Sequence, residues 1–250
     1  MKRFATLAYG AASYVFFLVT FPYAIGFVAN FIVPKSIDGG IAPPLAEALI
    51  VNTLLLGLFA VQHSVMARPG FKAAWTKIVA KPVERSTFVL FATVILALLM
   101  WQWRPMPAIV WHVESTFWSA MLWTLSAAGW ALVLLSTFLI NHFELFGLTQ
   151  VWRRFAGTQA KEGSFVTPLL YKHVRHPLYL GFIIAFWATP QMSAGHLLFA
   201  AMTTGYIFVG IYFEERDLIA HFGERYRKYR DDVGMLLPKF GGRRETRKQA

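Results

Sequence analysis

The densest run of chemistry-bearing side chains is TPLLYKHVRHPLYLG, residues 167–181, which sets Tyr171, His173, Arg175, His176 and Tyr179 at the start of a long apolar stretch. At the far end of that stretch, directly after Tyr212 and Phe213, stand two adjacent carboxylates, Glu214 and Glu215. An apolar stretch that folds back on itself brings both groups to one membrane surface. Together they offer a guanidinium for a carboxylate, carboxylates for an amine or for ribose hydroxyls, and aromatic faces for a sulfonium and a purine. S-adenosylmethionine carries all of those groups. The same residues also suit a plainer part: an arginine whose stem lies in lipid, a His-Pro helix start, and a Glu pair in the first turn of a tail helix. Taken one at a time they fit that plainer part better, and it is their coincidence that favours a ligand.

The elements that must position these groups are membrane helices. The 250 residues are 56% hydrophobic and only 15% charged, with a mean hydropathy of +0.48, which is too apolar for a soluble domain of this size. Crossing the hydrocarbon core takes about 20 predominantly apolar residues, and the runs 4–34, 48–67, 86–103, 115–143 and 177–213 qualify. The last is long enough to cross twice and is interrupted by Thr189, Pro190 and Gly195, so it reads as a helical hairpin. The expected fold is therefore all-α: a polytopic membrane protein with four full transmembrane helices, a C-terminal membrane hairpin over 177–213 and an amphipathic tail. In that tail Leu218, Phe222, Tyr226 and Tyr229 recur at spacings of three and four and form one apolar face, with Gly223 and Gly234 as expected breaks. The first run follows Lys2 and Arg3 and exceeds the h-region of a signal peptide, so it is expected to be a retained helix.

Charge gives the orientation. With alternating sides, 22 of the 24 Lys and Arg residues fall on one side, and only Lys35 and Arg104 on the other. The basic side is expected to be cytoplasmic, with both termini there, in a bacterial inner membrane. This topology accounts for the net charge of +11 without a nucleic-acid partner. There is no cysteine, so any thiol in the chemistry comes from outside the chain, and no metal is implied. No repeat and no Gly-rich phosphate loop occurs, the Gly pairs at 39–40 and 241–242 following no strand pattern. The chain divides into a four-helix portion, 1–143, and a portion from 144 to 250 in which chemistry concentrates. Oligomeric state is not legible.

The linked pair of elements, RHPLYLG and then EERDLIAHFGERYRKYRDDV beyond the hairpin, resembles the isoprenylcysteine carboxyl methyltransferase and phospholipid methyltransferase superfamily. The resemblance implies that Arg175, His176, Pro177, Tyr179 and Gly181 on one side, and Glu214 and Glu215 on the other, bind S-adenosylmethionine. Tyr171 stands where the family has an aromatic residue four before the Arg, and Tyr226 and Tyr229 match tyrosines of the family's tail. One departure is visible: the family often has Gly before that aromatic, where this chain has Pro168, Leu169 and Leu170. Upstream, QHSVMARPGFKAAW, PVERSTFVLFATVILALLMWQWRP and NHFELFGLTQVW resemble the methanethiol S-methyltransferase and NnrU-like branch of the superfamily. That branch implies methylation of a small thiol to dimethyl sulfide rather than of a lipid or prenyl-thioether acceptor.

Free thiols of this kind are mostly protonated at neutral pH, so the acceptor side should hold a base or a positive neighbour. Candidates at the basic ends of the helices are His63, Glu84 and Arg85, flanking the first basic loop, and Asn141, His142 and Glu144, where the fourth helix emerges. Polar groups in spans are costly unless paired, and for His63 and His142 the alternative is a hydrogen bond tying one helix to another. His112 and His196 fall on the opposite side, away from this chemistry. Three other readings remain open: a methyltransferase acting on a phospholipid or isoprenylcysteine acceptor, a haem protein using His63 and His142, which would leave Glu214 and Glu215 without a part, and a non-catalytic NnrU-like membrane protein.

Overall fold

The computed structural model describes residues 2–159 and 166–239. Lys161, the Gly pair at 241–242 and the basic residues Arg243, Arg244, Arg247 and Lys248 lie outside the described residues. Among the described residues five helices are long and apolar enough to cross a membrane: α1 (Lys2–Ala29), α2 (Leu45–Ala67), α4 (Lys81–Gln102), α5 (Thr116–Ile140) and α9 (Ala194–Phe222). Shorter pieces complete the chain: α3 (Pro69–Trp75), β1 (Ile109–His112), α6 (His142–Leu145), α7 (Leu148–Ala156), a 3₁₀ turn (Leu169–Lys172), α8 (Pro177–Trp187), β2 (Gln191–Ser193) and α10 (Glu224–Asp232).

Local chemistry sets the boundaries. Pro69 and Pro177 occupy the first turns of α3 and α8, where a missing N–H costs nothing. Ser115 accepts from Trp118 N at 3.5 Å to cap α5, and Ser193 accepts from His196 N at 3.0 Å to cap α9. Large apolar side chains face outward along the long helices, Val19 at 67% and Leu54 at 66% exposure, which is the surface of a protein solvated by lipid. The chain is a multi-pass membrane protein.

Two details differ from the sequence expectation. The apolar run 177–213 does not form two equal limbs, because α8 has 11 residues and rises only about 16 Å, half of a hydrocarbon core about 30 Å thick. After Pro190 the chain instead forms β2, which pairs antiparallel with β1 (Ile109↔Ser193, His112↔Gln191) in a small two-stranded sheet at the end remote from Arg175. Nor does the helix stop at Glu214. It runs unbroken to Phe222, since no Gly or Pro intervenes before Gly223, whose φ of +58° ends it.

The most extensive helix contact among the described residues is between α5 and α8. Gly129 and Gly181 let the two backbones touch: a Cβ on Gly181 would lie 2.7 Å from the Gly129 carbonyl oxygen, and one on Gly129 would lie 2.7 Å from Ala185 N. Small residues that admit close backbone approach are the usual device for helix association in lipid. Gly181 therefore has a packing task whatever else it does. We expect Gly181→Val to destabilise the fold by about 3 kcal/mol, at the upper end of overpacking costs, read as a lowered thermal midpoint in detergent. A midpoint within a degree of the parent's would refute the tight contact.

Candidate active site

Arg175 is the centre of the site. It lies just before α8, and its backbone N–H donates to the Gly234 carbonyl at 2.8 Å while that of His176 donates to Met235 at 3.1 Å. The segment leading into α8 is thus stitched to the chain that follows α10. The guanidinium Nε donates to Glu215 Oε1 at 2.8 Å, and both side chains are nearly buried, at 9% and 13% exposure. Nη1 donates to the carbonyls of Arg230, at 2.8 Å, and of Val233. The buried His176 ring lies 3.0 Å from the same Glu215 oxygen through Nε2. One arginine therefore ties α8, α9 and α10 into a single unit.

The neighbouring glutamate is treated differently. Glu214 keeps 42% of its side chain exposed, and its Oε2 accepts from the Tyr179 hydroxyl at 2.8 Å. Tyr229 donates to the Tyr171 carbonyl, and Tyr226 is buried. Burial raises the Tyr171 phenol, helped by the Glu214 charge, and burial likewise raises Tyr226; Tyr229 is pushed up to about 12, by burial first, with Arg175 opposing and Glu215 adding. All three stay protonated donors at any physiological pH. Leu169, in the Pro168–Leu170 stretch before Tyr171, has a φ of +38°, a conformation a glycine takes without strain. His173 is exposed at the end of the 3₁₀ turn, and Pro177 is buried at the first position of α8.

The acceptor-side candidates separate into two groups. His142 is locked: Tyr14 Oη lies 2.7 Å from Nε2 and Thr137 Oγ1 lies 2.8 Å from Nδ1, while Phe138 stacks on the ring at 4.2 Å. Burial lowers its pKa, so it is a neutral ring tying α1 to α5. Asn141 caps the next turn, its Oδ1 accepting from Glu144 N at 3.3 Å and its Nδ2 donating to Glu144 Oε2 at 2.7 Å, and Glu144 reaches Arg153 at 3.8 Å. These three residues do local structural work.

His63 is in another position. Its ring sits among Phe59, Phe88 and Tyr206, at centroid distances of 5.4, 4.8 and 6.4 Å, and its buried Nδ1 has no hydrogen-bond partner among the described residues. Arg85 is its charged neighbour, stacked over Phe88 at 4.9 Å with Nε donating to the Leu145 carbonyl at 2.6 Å. Glu84, in the first turn of α4, is an electrostatic neighbour of Arg85 and Lys72. Tyr206 accepts from the Ser64 hydroxyl at 3.4 Å and stands edge-on to the His63 ring. At the same end Arg68 pairs with Asp217 at 2.9 Å and stacks over Phe213 at 5.4 Å. Sequence inspection missed Tyr206, Phe59, Phe88 and Asp217; a tyrosine hydroxyl inside the last apolar run was the one available signal.

The chain is 60% identical over 236 residues, 94% of its length and 83% of the relative's, to methanethiol S-methyltransferase 1 of Bradyrhizobium diazoefficiens. It is 58% identical over 238 residues, 95% of its length and 98% of the relative's, to the methanethiol S-methyltransferase of Mycobacterium tuberculosis. A remoter likeness, 29% over 183 residues, 70% of this chain and 69% of the relative, is to mouse Nurim. No family model matches the chain, and no solved structure matches it.

A buried ion pair that loses one member leaves the other charge uncompensated. Arg175→Ala should therefore lower folding stability by about 3 kcal/mol or more, whereas Arg175→Leu combined with Glu215→Leu should recover most of the loss. Thermal melts in detergent decide this, and a single variant as stable as the parent would contradict the geometry.

Proposed function

The chain belongs to the methanethiol S-methyltransferase family, and on that premise we propose that it transfers a methyl group from S-adenosylmethionine to methanethiol, giving dimethyl sulfide. The acceptor is inferred from the relatives. The donor site is supported by the unequal fates of two adjacent carboxylates, Glu215 buried and committed to Arg175 and His176, Glu214 open and oriented by Tyr179.

The donor set fits the proposed ligand: an exposed carboxylate suits hydroxyls or an ammonium, and the aromatic groups of Tyr171 and Tyr179 suit a cation. When bound, S-adenosylmethionine supplies a methyl group on a sulfonium, open to in-line attack by a thiolate sulfur. Arg175 is assigned the task of positioning, because its Nε and Nη1 are already spent on Glu215 and two carbonyls. It holds the tail, with Tyr226 and Tyr229, over the site, and so helps to exclude water. Of the residues at the acceptor side, His63 is assigned the thiol proton, taken at Nδ1. The aromatic walls from Phe59, Phe88 and Tyr206 offer a small apolar acceptor a dry place, and the Arg85 charge favours the thiolate there. Asn141, His142 and Glu144 are assigned to structure. We place the site on the cytoplasmic side of a bacterial inner membrane, with both termini there, because the basic residues gather at that end.

The test is gas chromatography of the headspace above purified protein given S-adenosylmethionine and methanethiol, with cofactor affinity measured separately. Glu214→Gln should weaken cofactor binding about tenfold or more, the worth of a hydrogen bond to a charged group, with an unchanged melting midpoint. His63→Ala should bind cofactor normally and lose a hundredfold or more in kcat, the usual contribution of a general base. Cofactor bound without any dimethyl sulfide from the parent protein would turn the assignment towards lipid or prenyl-thioether acceptors.

A further inference from the structure

At the end remote from Arg175, a surface cleft of about 430 Å³ opens between the loop after α1 and the loop after α4. Its lining includes Lys35, Gly39, Gly40, Ile41, Trp103 and Arg104. Lys35 and Arg104 are the two basic residues that the charge distribution leaves on this face, and both stand in this one cleft. Like charges placed together in a partly buried recess repel each other; burial first, and Arg104 second, lower the Lys35 amine. Their protein partners are incomplete. Lys35 Nζ donates to the Trp101 carbonyl, and Arg104 gives Nε to Glu47 at 3.1 Å and Nη1 to the Gln102 carbonyl at 3.0 Å. An ammonium has three donors and a guanidinium five.

The surroundings of the cleft are apolar and outward-facing. Ile41, on the lining, is 95% exposed; Phe31 and Ile32, in the same loop, are 65% and 84% exposed. Ile32 has a φ of +61°, a conformation β-branched residues rarely adopt. The loop is held there by Asn30, whose Nδ2 donates to Asp38 Oδ2 at 2.6 Å and whose Oδ1 accepts from Asp38 N at 3.1 Å. Strained backbone maintained by its surroundings recurs at ligand clamps. Two cations in a cleft lined by the exposed Ile41, with the exposed Phe31 and Ile32 in the same loop and at the level where spanning helices end, match a phosphate that carries acyl chains.

We propose that this cleft is a binding site for an anionic phospholipid, its phosphate between Lys35 and Arg104 and its chains against Phe31, Ile32 and Ile41. Native mass spectrometry of the purified full chain tests this, with added phosphatidylglycerol, phosphatidylcholine or inorganic phosphate. The parent should retain phosphatidylglycerol in preference to phosphatidylcholine, and each basic group removed should weaken that binding about fivefold. Arg104 also ties α2 to the loop through Glu47, so Lys35→Gln, which gives up one bond to a carbonyl, decides the matter alone if Arg104→Gln misfolds. Equal lipid retention by Lys35→Gln and the parent would overturn the proposal. So would phosphatidylcholine held as tightly as phosphatidylglycerol, or inorganic phosphate that binds and is not displaced by the lipid.

Discussion

Everything around the site depends on one buried charge pair. Taking Arg175 and Glu215 out of water costs several kcal/mol per ion unless each finds full compensation. The structure supplies it: Glu215 gains a second partner in His176, and the guanidinium spends a further nitrogen on the carbonyls of Arg230 and Val233. Those carbonyls belong to the end of α10 and the residue after it, so the tail is held by electrostatics as well as by the burial of Tyr226. The parallel bridge between Val174 and Gly234 and the two backbone bonds into Gly234 and Met235 follow from the same closure. Without the tail the pair would be half-solvated; without the pair the tail would have little to grip.

That closure also explains why two adjacent carboxylates differ. Successive residues on an α-helix point about 100° apart, so Glu214 and Glu215 cannot both face Arg175. Glu215 takes the buried direction, and Glu214 points to the side where Tyr179 receives it and solvent reaches it. A sequence shows the doublet, yet it carries no record of which neighbour lies at which angle. The doublet's adjacency to Arg175 was legible, because a hydrophobic run with a Thr-Pro interruption has to return to its starting surface. Its division of labour was not.

The rest of the fold was legible in proportion to how far it rests on local chemistry. The first four spans follow from uncharged runs bounded by Pro, Ser and charged residues, and the break at Gly223 follows from its left-handed backbone. The short α8 and the β1–β2 pair were not legible. Both come from tertiary contacts, Gly181 against Gly129 and a strand whose partner lies about 80 residues away in the chain. The role of Gly181 was hidden for the same reason, since a glycine within a motif looks the same whether it serves a ligand or a neighbouring helix.

His63 and His142 make the contrast sharpest. Both stand at the ends of apolar helices on one side of the protein, and nothing in their flanking residues separates them. His142 has a hydroxyl within hydrogen-bond distance of each nitrogen and a phenyl ring in parallel contact, so its polar capacity is exhausted within the fold. His63 is surrounded by rings that cannot satisfy its Nδ1, and Arg85 is its charged neighbour. A buried polar atom without a partner costs about 1–3 kcal/mol, and such an exception in a native structure calls for a reason. The proposed function supplies one: that atom takes the proton of a small apolar acceptor, which also accounts for the aromatic walls and the nearby cation.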